Sequence, residues 1–142
     1  MAAGDFVLFN TFKEELAKGN HAFGTDTYKM AICDNTTAPT AATATPALGD
    51  FTQVGTAGTY VAGGTTLTIT VAESSGTVTV DATNSPTWAQ HASNDTDAYW
   101  AIIYNDTDAG DIAVGYVDLG GPVDMSANDL TINPHANGLF TF

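Results

Sequence analysis

The chain has 142 residues, 44% of them hydrophobic and 13% charged, with sixteen acidic side chains against three lysines and no arginine, for a formal net charge of −13. That length and composition suit one globular domain rather than a disordered segment. The charge excludes nucleic acid and anionic membrane as partners, because both need a basic patch to displace counterions or to meet a negative surface.

All three lysines, Lys13, Lys18 and Lys29, fall within "FKEELAKGNHAFGTDTYK" (12–29), and the rest of the chain carries acids without a permanent cation. The first twenty residues read as the single helix. Phe9, Phe12 and Leu16 recur at helical spacing, Thr11 to Glu14 fits a capping box, Lys18 suits the last turn, and Gly19 is a C-terminal stop. Asp5 precedes the first apolar run and no basic stretch leads it, so the start is not expected to be a secretory signal. Residues 1–26 are expected as an N-terminal arm and helix, and 27–142 as the domain proper.

Beyond Thr27 the apolar period shortens from helical to two. "TYKMAIC" (27–33) is a strand, and the low-complexity "TAPTAATATPALGD" (37–50), with Pro39 and Pro46, is an extended loop or arm. "LTITVAESSGTVTV" (67–80) is the clearest hairpin. Leu67, Ile69, Val71, Val78 and Val80 point one way, Thr68, Thr70, Thr77 and Thr79 the other, and residues 73–76 turn. "AYWAIIY" (98–104) is apolar on both faces, as a central strand requires. Further strands follow at 111–119, 130–133 and 138–142, with fainter ones at 51–54, 59–62 and 87–89. So many short strands separated by turns predict an all-β fold: a jelly-roll-like β-sandwich with a short N-terminal α-helix, with a barrel as the main competitor.

No nucleophile elbow, phosphate loop, dinucleotide fingerprint or metal-protease helix occurs, so the chain is not expected to be an enzyme. His21, His91 and His135 lack ligand spacing and read as surface or turn residues. Cys33 reads as a small core residue, which leaves no intrachain disulfide. The pentapeptide "NDTDA" occurs at 94–98 and again at 105–109. The second copy offers Asp106, Asp108 and Asp111 as calcium ligands, but no glutamate closes the loop, and an Asx-rich turn is the simpler reading. No cofactor is expected. Trp88, Trp100, Tyr60, Tyr99, Tyr104 and Tyr116 suit core packing better than a sugar-stacking platform. The sequons at Asn35, Asn94 and Asn105 carry no meaning without export.

In chain order, "FKEELAKGNHAFGTDTYKMAI", "YVAGG", "TW", "AYWAIIYND", "GYVDLG" and "GLFTF" resemble a group of small structural proteins of tailed bacteriophages, with a short helix before an all-β domain. The resemblance runs from about Phe6 to Phe142. It implies a virion protein made in the host bacterial cytoplasm: a decoration (cement) protein on the capsid surface, with the major capsid protein as partner and a homo-oligomer, such as a trimer, as its state. The alternatives are a tail or fibre component, including a receptor-binding module, and a calcium-dependent carbohydrate-binding module. The expected docking residues are Phe9, Phe12, Lys13, Lys18 and Lys29, because this segment alone offers fixed positive charge to an acidic partner.

Overall fold

The computed structural model describes residues 5–142. Its strands lie in three antiparallel sheets, with one short helix. The largest sheet has the order β1-β8-β7-β2-β3, formed by β1 (Phe6–Leu8), β2 (Tyr28–Cys33), β3 (Thr65–Thr66), β7 (Ala98–Asn105) and β8 (Ala113–Val123). A three-stranded sheet joins β10 (Phe140–Thr141), β5 (Thr77–Ala82) and β4 (Ile69–Ser74), and a two-stranded one joins β6 (Thr87–Trp88) to β9 (Leu130–Thr131). The architecture is all-β and sandwich-like.

β7 holds the middle of the large sheet, as its two-sided apolarity requires. Ala101 and Ile103 face the main core, which includes Ala82, Trp88 and Leu130 from the smaller sheets, with Leu67 and Ile132 beside those strands. Ile102 and Tyr104 face the opposite side, where a second cluster forms with Ala31, Cys33, Phe9, Leu48 and Phe51. The large sheet is therefore covered on both faces.

The 37–50 segment, expected as an extended loop or arm, forms no strand but lies against the body and adds Leu48 to that second cluster. Pro39, Pro46 and Leu48 are buried. The Ala113 N–H donates to the Pro46 carbonyl at 2.9 Å, Leu48 N–H to Asp111 at 3.0 Å, and Asn10 N–H to Ala41 at 2.8 Å. Low complexity is no obstacle to this, because small residues and prolines can lie flat on a sheet face while turns and loop contacts use their backbone groups.

The N-terminal helix is also shorter than its pattern suggests. Phe6–Leu8 pair with Val117, Tyr116 and Gly115 of β8 as an edge strand, and α1 covers only Phe12–Ala17. Thr11 makes no side-chain cap, so the capping box does not form, and Glu14 bonds Lys18 instead. Lys18 sits at the C-cap, just past the last helical residue. Residues 1–4 of the expected arm lie outside the described residues.

Elsewhere the strands fall close to expectation. At 51–54 there is only an isolated bridge between Cys33 and Gln53, and at 59–62 no strand forms, its place in the sheet being taken by β3. The β4–β5 hairpin closes on Ser75 and Gly76, with φ of 52° and 83°. Two consecutive positive φ values are what a tight two-residue hairpin turn needs. The hairpin's apolar face is buried mainly along β5. Val80 and Val71 oppose each other in the ladder, yet Val80 is 1% and Val71 47% exposed, so β5 covers the core and β4 is the open outer strand.

Candidate docking segment and the acidic loops

Helix α1 is anchored by aromatic packing. Phe12 is buried and meets Phe140 edge-on at 5.0 Å and Phe23 at 5.9 Å, while His21 lies 5.3 Å away. Phe9 is buried on the other side of the large sheet, 5.3 Å from Tyr116 and 6.1 Å from Phe51. Both phenylalanines are core residues, which removes them from the expected docking set.

Two lysines are engaged within the chain. Lys18 Nζ meets Glu14 at 2.7 Å and Glu15 at 3.2 Å. The Asn20 amide, 2.6 Å away, and the Lys18 ammonium hold the Glu15 carboxyl below its usual range, and the two glutamates raise Lys18. Lys29, on the outer face of β2, reaches across to Asp106 at 2.9 Å, with both side chains about one-third exposed. Among the described residues Lys13 makes no ion pair; it is exposed and lines a shallow depression of about 250 Å³ with Leu8, Phe9 and Asn10. Of the five expected docking residues, Lys13 alone keeps an exposed charge without an intramolecular partner among the described residues.

The acidic loops are built as turns. Asn105 Oδ1 accepts from the Thr107 N–H at 3.0 Å, and Asp108 Oδ1 from the Gly110 N–H at 2.8 Å. Asp111 takes φ of 51°, and burial, then Asp106 and Asp108, push its carboxyl above the ordinary range. With Asp106 turned to Lys29, these carboxylates do not assemble into a metal-binding group, and no such group occurs among the described residues.

What composition could not reveal is the role of the first residue in each NDTDA copy. Asn94 and Asn105 are both buried; Asn94 lies just before β7 and Asn105 is its last residue. Asn94 accepts from the Thr59 N–H at 2.7 Å and donates to the Ala89 and Met125 carbonyls at 3.0 and 3.1 Å. Asn105 donates to Asn20 O at 3.0 Å and to Asp26 at 2.8 Å. An amide carries both donors and acceptors, so one side chain can tie several loop backbones together. The repeated motif flanking the central strand was the available signal. Burial also removes these two asparagines as modification sites, and the third sequon residue, Asn35, accepts from the Trp100 indole at 3.0 Å.

The histidines divide. His91 and His135 are exposed turn residues whose Nδ1 atoms accept from Ser93 and Asn137. His21, expected as a surface or turn residue, is buried among Phe12, Phe23 and Tyr28, and its Nε2 is buried without a hydrogen-bond partner among the described residues. Burial lowers its pKa, against the opposing pull of Glu15, Asp108 and Asp26. Cys33 is fully buried, with its thiol pushed up to about 12, chiefly by burial. Tyr60, Trp88 and Tyr104 are core residues, while Trp100 and Tyr116 pack edge-on at 5.9 Å, half-buried beside the second cluster. They form no open stacking platform with Trp88.

No protein-family model matches the chain, and no curated protein or solved structure matches it.

Proposed function

We propose that the chain is a virion structural protein that acts by adhesion rather than catalysis: a decoration protein on the outer face of a tailed-phage head, with the major capsid protein as its partner. The observation that carries this reading is the charge arrangement. Lys18 and Lys29 are neutralised within the chain, leaving Lys13 as an exposed cation on a strongly acidic all-β exterior. Such a surface favours a partner that supplies positive charge and repels nucleic acid during assembly. The resemblance to small structural proteins of tailed phages points the same way.

The test is imaging of phage particles made without this protein, before and after the purified chain is added back. Ordered density recurring over the outer capsid lattice is the expected result. Density on the tail would favour the fibre or receptor-binding reading, and no density on any part of the particle would overturn the virion assignment.

A further inference from the structure

The edges of the sheets are unequal. β3 and β10 are two residues long and β1 three, but β4 runs for six, from Ile69 to Ser74, and is paired on one side only. Natural edge strands are usually blunted by lysine, proline, a bulge or extreme shortness. β4 has none of these: its register with β5 is unbroken, and its one protective feature is a single charge, Glu73, on the face shared with Val71.

The open hydrogen-bonding groups follow from the turn. Ser74 and Thr77 flank a two-residue loop and form a bonded pair, after which bonded and non-bonded pairs alternate along the ladder. The outward groups of β5 agree with that phase. Val78 exchanges bonds of 2.7 and 2.9 Å with Phe142, and the Val80 carbonyl accepts from the Leu139 N–H at 2.8 Å. By the same alternation, the N–H and C=O of Ile69, Val71 and Glu73 point away from β5. None of these groups meets a partner among the described residues.

We propose that β4 is a self-pairing edge, joining two copies of the chain antiparallel across a two-fold axis at Val71. Val71 then opposes Val71 of the second copy, and Ile69 opposes Glu73 of the second copy, with roughly six backbone hydrogen bonds between the strands. The charge pattern selects this occupant. The two Glu73 carboxylates stand four residues apart along the sheet, ~13 Å, beyond the ~8 Å screening length at physiological salt. A chain of net charge −13 must bring acid against acid at most other contacts with its own copy. The pairing also sets Val71, 47% exposed at the free edge, against its own copy. The pairing needs only the chain itself and is independent of any capsid.

The test is sedimentation equilibrium on the full-length protein, with two variants. The wild type is expected at twice 14.7 kDa. Val71→Pro removes an N–H that no intrachain bond uses, and should weaken association about thirtyfold, through two hydrogen bonds lost across the axis. Val71→Cys should cross-link the pair under mild oxidation, because opposed residues of a bonded pair lie ~5.5 Å apart at Cα, within disulfide range. Cys33 is fully buried and does not compete. Ala72→Cys, one residue along on the opposite face, should not cross-link. A monomeric or trimeric wild type would overturn the proposal. So would failure of Val71→Cys to cross-link, whatever the folding of the proline variant.

Discussion

Replacing Phe12 by alanine tests whether the lysine-bearing segment is a docking arm or part of the domain. The ring is 2% exposed and packs against Phe140 in the last strand, Phe23 just before β2, and His21, which stacks on Phe23. Removing a fully buried phenylalanine forfeits its transfer free energy and leaves a cavity, together about 3–5 kcal/mol. The edge-on contact with Phe140 at 5.0 Å places the cost toward the upper end. For a domain of this length that is a fall in melting temperature of roughly 15 °C, and a large share of a total stability of about 5–15 kcal/mol. Urea and thermal unfolding followed by circular dichroism would measure it. Lys13→Ala is the control: it leaves the helix in place on an exposed site and should change stability by less than ~0.5 kcal/mol. Deletion of residues 1–19 removes β1, Phe9 and Phe12 together and should leave no cooperatively folded protein. If Phe12→Ala cost less than about 1 kcal/mol, or the truncated chain melted like the full one, α1 would be a detachable arm and the core assignment would fail.

Burial holds the His21 pKa below the 6.5 of an exposed imidazole, so the unfolded chain takes up a proton that the folded one resists. The associated stability is fully present above pH ~6.5 and is lost as pH falls from there toward the folded value. Urea midpoints measured from pH 7.5 to 5 should decline in the wild type and decline less in His21→Phe; parallel slopes would place the proton uptake elsewhere. At the second acidic loop, Lys29 already neutralises Asp106, and the structure gathers no metal-binding group there. Adding calcium or a chelator should accordingly leave the melting temperature within a degree or two, and Asp108→Ala should not alter that insensitivity. A rise of many degrees with calcium would restore the metal reading of Asp106, Asp108 and Asp111.

Pattern in the chain was sufficient for those features that depend on local alternation. The hairpin at 67–80, the two-sided strand at 98–104 and the all-β class all follow from period-two apolarity and turn residues, because a strand's side chains sort by face whatever lies opposite. Partner choice is not local, and there the tertiary structure decided. Phe9, Phe12 and Leu16 satisfy a helical period, yet the chain before Thr11 pairs with β8, and Phe9 crosses to the far face of the sheet. An edge of the large sheet was open to residues 6–8, and hydrogen bonds along β8 outweighed one more helical turn. Prolines and alanines at 37–50 carry no periodic signal, but the outer face formed by Ala31, Ile102 and Tyr104 needed a cover. His21 looked like any polar residue in a turn until Phe12, Phe23 and Tyr28 closed around it. The lysines show the same division. Their clustering is visible in the sequence, but only folding brings Lys29 to Asp106, more than seventy residues away along the chain, and leaves Lys13 at the surface. Charge is a property of composition, whereas its neutralisation is a property of contacts between segments distant in sequence.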